Sequence, residues 1–335
     1  ISGHTTANGL KRIDKDVLAH KPDIVTVMFG LNDMARVSLA DYRKNLVTIV
    51  ARCRAIGAEV VLATPNNVIE TARRPSKKLV EYCDVVREVS RELKVPLCDS
   101  YRGFDAVRHH DRAGWRLLMS DQIHPNMDGH RLIATQLART ITGRGVDLNS
   151  VHPIEPAISR TLSLLKSGKP IRVLAMPPYD GQIEAVLQSL KPGARVEVTR
   201  WPTDGLSLRK LEQDAAKRVR PMKPDLVLIA VPRDAGSKSA EEFIHSYSWI
   251  MNNSLSFSHQ QWDCVVIHPS VATAVGNGEH AKHAKHDGLV RRLVRAQDLH
   301  LIDRGAGNRA GVTEILAEWF ARQWKSPSGC ISIVE

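Results

Sequence analysis

Cysteine is scarce in this sequence and never falls in a paired, metal-binding pattern. Its five cysteines, Cys53, Cys83, Cys98, Cys264 and Cys330, are scattered over 335 residues without one CxxC. That excludes a disulfide scaffold and argues against a structural zinc site, while the odd count leans toward a reducing compartment. Long apolar runs are missing too. Nothing approaches the roughly 18 consecutive residues of a membrane-spanning helix, so no membrane span is expected. Neither a starting Met nor a signal-peptide pattern stands at Ile1, which leaves localisation open between secreted or periplasmic and cytoplasmic. What is present is ordinary for a soluble globular protein: 43% hydrophobic and 25% charged residues, over a length that suits two domains. A net charge of +11 raises the question of a polyanionic partner. The basic residues are nevertheless spread along the chain, and the densest, Arg73-Arg74 and Lys77-Lys78, alternate with apolar residues in the manner of a solvated helix face. No nucleic-acid partner is expected.

The sequence reads as two copies of one plan. His20-Lys21-Pro22-Asp23-Ile24-Val25 returns as Met222-Lys223-Pro224-Asp225-Leu226-Val227 at an offset of 202 residues, and the same offset carries Gly3 onto Gly205. Short apolar runs of strand type fall at 172–176, 195–200, 225–231, 263–268 and 299–303, with helical stretches such as 182–190 and 206–219 between them. Strands alternating with helices indicate a parallel sheet covered on both faces, an α/β fold of flavodoxin-like, three-layer type. The first half shows strands only at 23–29, 59–64 and 95–99, the last three of such a set. Residues 143–156 read as a linker, followed by a short helix at 157–165. The expected domains are therefore 1–150 and 156–335.

Two motifs in the first half carry chemistry. Asp121 and His124, three residues apart before a helix expected at 129–140, can share one loop or helical turn. The carboxylate then accepts from the imidazole Nδ1–H and leaves Nε2 to take a proton. Pro125 and Gly129 are expected to make the turn into that helix. Gly30-Leu31-Asn32-Asp33 follows the apolar strand directly. Gly30 allows a tight turn, Asn32 can aim its amide at a developing oxyanion, and Asp33 can cap the next helix.

In this order, Ser2-Gly3, Gly30-Leu31-Asn32-Asp33 and Asp121-Gln122-Ile123-His124-Pro125 resemble the later conserved blocks of the SGNH (GDSL-type) hydrolases. The resemblance implies a Ser-His-Asp esterase with His124 and Asp121 catalytic, Asn32 and the Gly3 N–H in the oxyanion hole, and Gly30 and Asp33 in support. It implies no cofactor. The family's serine block belongs to the end of the first strand, ahead of Ser2-Gly3, so Ser2 is not the nucleophile. The expectation is that the natural protein begins earlier, with the serine roughly two dozen residues before Ile1, as the repeat argument places it. The second copy lacks these features. It reads Met176-Pro177-Pro178-Tyr179 where the serine block should stand, Pro232-Arg233-Asp234 where Gly30-Leu31-Asn32 maps, and no histidine three residues after Asp303. An inactive SGNH-like domain is expected there. His280, His283, His286 and Asp287 have helical spacing that a metal could use, but Lys282 and Lys285 interleave them and favour a solvated face. No metal is expected.

The reading is an ester hydrolase acting on small acyl esters, carbohydrate O-acetyl groups among them. The alternatives are a non-catalytic scaffold of two degenerate domains and, more weakly, a polyanion binder with steep salt dependence. Oligomeric state is not legible.

Overall fold

Alternation of β-branched strands with amphipathic helices produces two separate parallel sheets in this computed structural model. It describes residues 2–148, 151, 153–256, 261–273, 279–305 and 307–326, with the backbone alone at 279–282. The chain divides into two units, residues 1–150 and 151–335.

The first unit runs α1 (Thr6–Asp16), β1 (Ile24–Met28), α2 (Asp33–Arg36), α3 (Leu39–Ala55), β2 (Glu59–Ala63), α4 (Ser76–Glu92), β3 (Leu97–Cys98), α5 (Ser100–His110), α6 (Arg112–Arg116) and α7 (Met127–Thr142). Its sheet has the order β1-β2-β3, with Val25 beside Val60 and Leu62 beside Leu97. The helices form because their apolar residues recur at three- and four-residue spacing. In α3 the buried set is Tyr42, Leu46, Ile49, Val50 and Cys53, and in α4 it is Leu79, Tyr82, Cys83, Val86 and Val89. Both pack with Val27, Val60 and Leu62 into one core. The face of β1 that carries Ile24, Thr26 and Met28 is open, with Ile24 43% and Met28 38% exposed.

The second unit runs α8 (Ser159–Lys166), β4 (Ile171–Ala175), α9 (Ile183–Leu190), β5 (Val196–Arg200), α10 (Leu208–Met222), β6 (Leu226–Ile229), α11 (Ala240–Ser254), β7 (Asp263–Ile267), α12 (Glu279–Ala296), β8 (His300–Ile302) and α13 (Val312–Lys325). Its sheet is parallel throughout, in the order β5-β4-β6-β7-β8, so the first strand of the unit lies between the second and the third. This is the flavodoxin-like arrangement. All four residues of β6, the central strand, are buried, as in a parallel sheet covered on both faces.

Backbone geometry agrees at several paired positions. Lys21 and Lys223 are both left-handed (φ 46° and 47°), as are Gly3 and Gly205 (75° and 66°). Thr5 caps α1 and Ser207 caps α10, each by accepting from a backbone N–H three residues on. One detail of the sequence reading is corrected. Gly129 does not form the turn before α7 but lies inside its first turn, where Asn126 is the cap and accepts from Gly129 N at 3.1 Å. A Cβ at Gly129 would stand 2.5 Å from the Leu118 carbonyl, so close packing rather than turning fixes the residue.

Candidate active site

At the carboxyl edge of the first sheet, short loops bring the predicted residues into one neighbourhood. Asp121 Oδ1 accepts from the backbone N–H groups of Ile123 and His124, both at 2.8 Å, which folds the loop onto the carboxylate. Asp121 Oδ2 lies 2.7 Å from His124 Nδ1. The carboxylate can only accept, so Nδ1 carries the proton and Nε2 of the neutral ring is left as a base. The loop is closed below by Ser120 N donating to His124 O and by Asn126 Nδ2 donating to Leu117 O. The His124 side chain is 66% exposed.

The hydrogen bond that His124 donates to Asp121 raises the His124 pKa above the ordinary imidazole value; partial burial and the charge of Arg74 oppose the rise. Burial acts to raise Asp121, but its hydrogen bonds from His124 and from the two backbone N–H groups outweigh that and hold it below the usual carboxylate range. His130 is lowered by burial and by the neighbouring His124.

Gly30 takes φ +133°, open to glycine, and a Cβ there would meet Pro65 Cγ at 3.1 Å and Tyr42 Oη at 3.3 Å. The tight turn delivers Asn32, whose Nδ2 donates to His4 O at 3.1 Å and so ties this loop to the Gly3-His4 segment. Asn32 Nδ2 has a second N–H, and no described residue bonds to the Gly3 N–H. Asp33 departs from expectation: it does not cap α2. Fully buried, its Oδ1 accepts from Thr6 N at 2.8 Å and Thr6 Oγ1 at 2.6 Å, capping α1 from across the site. A buried carboxylate needs such donors, and the first turn of α1 offers an N–H with no helical partner.

Sequence reasoning missed the loop of residues 64–75, which braces both motifs. Asn66 Nδ2 donates to Ile123 O at 3.1 Å, Ile69 N donates to Gln122 O at 2.8 Å, and Arg74 Nη1 donates to Leu31 O at 3.0 Å. Arg74 therefore is not on a solvated helix face, unlike Lys77 and Lys78 in α4. The available signal was the polar Asn66-Asn67 pair shortly after β2; in the structure both residues are buried. Among the described residues no three His, Cys, Asp or Glu side chains are placed to hold a metal ion.

In the second unit, Arg233 stands where Leu31 maps. Its guanidinium bonds both oxygens of Asp287 (3.2 and 2.7 Å) and Thr273 Oγ1 (2.6 Å). Behind it lies a histidine that the motif search passed over. His268 follows β7 and Asp303 follows β8; His268 Nδ1 is 2.7 Å from Ser270 Oγ, and Ser270 Oγ donates to Asp303 Oδ1 at 2.9 Å. His268 and Ser270 are nonetheless buried, and His268 Nε2 is directed at Asp287 O (3.2 Å). Ser270 N donates to Nδ1 at 3.1 Å, so this ring serves as a helix cap with no nitrogen open to a substrate. His283 and His286 lie on α12, with His286 edge-on to Phe243 at 5.1 Å; the His280 side chain falls outside the described residues.

Residues 1–132 match the GDSL-like lipase/acylhydrolase family. An acetylxylan esterase of Geobacillus stearothermophilus is 27% identical over 42% of this chain and 69% of its own length. The uncharacterized lipoprotein YqeF of Bacillus subtilis (strain 168) is 32% identical over 38% of this chain and 63% of its own. A solved lipase/acylhydrolase from Enterococcus faecalis is 31% identical, covering 43% of this chain and 73% of that one, with a TM-score of 0.38. Residues 1–132 thus form a GDSL-like lipase/acylhydrolase domain.

Proposed function

We propose that the protein is a serine ester hydrolase of small acyl esters, with carbohydrate O-acetyl groups as its substrate class. The observation that carries this reading is the Asp121–His124 pair at 2.7 Å, its Nε2 unengaged, braced against the loop that holds Asn32. In the proposed reaction His124 Nε2 takes the proton of a serine hydroxyl as its oxygen bonds to the acyl carbon. Asn32 Nδ2 and Gly3 N–H stabilise the tetrahedral oxyanion. His124 then returns the proton to the departing alcohol oxygen as the C–O bond breaks, and water releases the acyl group by the same steps in reverse. Acetate as the acyl group is supported by the likeness to the acetylxylan esterase.

The nucleophile is proposed to lie outside residues 1–335, on a strand paired along the outer side of β1. Support comes from that strand itself: among the described residues β1 pairs with β2 alone, and its face bearing Ile24 and Met28 is open. The second unit is proposed to be an inactive relative of the first, a reading supported by the shared left-handed lysines and glycines and by the closed surroundings of His268. A serine-directed fluorophosphonate should leave the 1–335 chain unlabelled, whereas the protein carrying the upstream block should be labelled and should hydrolyse p-nitrophenyl acetate. Stoichiometric labelling of a serine within 1–150, or an inert extended protein, would overturn the assignment.

A further inference from the structure

Two arginines flank the proposed oxyanion segments, and among the described residues neither has a carboxylate partner. Arg36 Nη1 donates to Gly3 O at 2.8 Å, and Arg74 Nη1 donates to Leu31 O at 3.0 Å, so each guanidinium is anchored beside one of the two proposed oxyanion donors. Both acceptors are neutral carbonyls. Among the described residues neither arginine is in an ion pair, and each guanidinium keeps further N–H donors. The carboxylates of the site are committed elsewhere, Asp33 to Thr6 and Asp121 to His124. Glu70, on the same loop as Arg74, is exposed and makes no ion pair among the described residues. Arg74 is held by its own turn, with its N–H on Thr71 O at 2.9 Å and on Thr71 Oγ1 at 3.1 Å, and its charge is felt at His124. Arg36 is exposed and Arg74 half-buried, so a solute can reach both. A fixed, unneutralised guanidinium is the preferred protein partner of a carboxylate or phosphate.

We infer that Arg36 and Arg74 form a receptor for an anionic group on the alcohol half of the ester, so that the site prefers acylated sugars bearing a carboxylate or phosphate over neutral ones. This rests on the esterase reading above. The test uses the 1–335 chain and needs no turnover: the His124 ring resonance is followed by NMR during titration with glucose, glucuronate and glucose 6-phosphate. A charged sugar should perturb His124 with at least tenfold tighter binding than glucose, and added salt should narrow the gap. Whichever of glucuronate and glucose 6-phosphate binds more tightly identifies the anion. Arg74→Gln combined with Arg36→Gln should abolish the preference, while Arg74→Lys keeps part of it. Equal binding of all three sugars, no binding by any, or a preference that survives in the double variant would overturn the inference. Hydrolysis of a neutral acetate ester by the serine-bearing protein would in that case leave the esterase reading standing.

Discussion

His124 and His268 each sit within reach of an aspartate at the carboxyl end of a parallel sheet, yet their surroundings differ completely. The first keeps 66% of its side chain open, donates from Nδ1 and leaves Nε2 unengaged. The second is fully buried, accepts at Nδ1 from a backbone N–H and is blocked at Nε2 by a carbonyl. The aspartates follow the same division. Asp121 serves one loop, whereas Asp303 is shared among Ser270, His268 and Arg291. A His-Asp contact thus does not make a proton carrier; what matters is whether the second ring nitrogen is left to a substrate. The strands show a related contrast. β6, at the centre of its sheet, is buried, while β1, at the edge of the first sheet, is open on the face of Ile24 and Met28.

The largest effect should separate the two histidines. In the serine-bearing protein, His124→Ala is expected to lower kcat/KM on p-nitrophenyl acetate about 10⁴-fold. His268→Ala, assayed where circular dichroism shows it folded, should stay within about threefold, well under 1.4 kcal/mol. Comparable losses from the two would break the comparison.

Next comes stability, with the order of the units reversed. Asp287→Ala strands the partly buried Arg233 guanidinium and should cost the second unit about 3 kcal/mol. Asp121→Ala removes three hydrogen bonds from a loop that water can reach and should cost the first unit less, about 1–2 kcal/mol. Urea unfolding, with a probe in each unit, measures both.

Asn32→Ala should reduce kcat about 10²-fold with little change in KM, because the oxyanion contact tightens only in the transition state. Arg233, at the mapped neighbour of that position, offers a control: changing Arg233 and Asp287 together to Met and Leu should leave kcat unaltered. A silent Asn32→Ala beside an inactive His124→Ala would remove Asn32 from the oxyanion hole.

Smallest, and opposite in sign, are the pH effects. The His124 pKa is raised, so the protonated ring's contribution is complete below the ordinary imidazole value, near 6.5, and fades as pH rises through the raised value. His268 is lowered by burial; Asp303 pulls upward, Arg291 pushes down, and Asp287 pulls upward through its carbonyl bond and its charge. Its neutral form contributes fully above the ordinary value, and that contribution is lost as pH falls toward the lowered one. NMR titration of the two rings should find them on opposite sides of the ordinary value. Finding both on the same side would show that exposure does not separate them.

Much of the first site was legible because its motifs are local. Asp121 and His124 lie three residues apart, and the Gly30 turn is dictated by the end of β1. Asp33 was misread because capping the next helix is the nearest use of an aspartate, whereas its real partner, Thr6, is distant in sequence. Arg74 was misread for a similar reason: its charge pattern resembles a helix face, but its residues form a turn before Pro75.

The sequence alone determined the parallel α/β plan and the pairing of Asp121 with His124, since periodicity and short motif spacings act within a few residues. Only the tertiary structure decided that His124 stays open and His268 is sealed, that Asp33 holds α1, and that Arg36 and Arg74 have no carboxylate partner among the described residues. Those outcomes depend on which distant groups solvate a charge once water is displaced, and sequence spacing does not encode that.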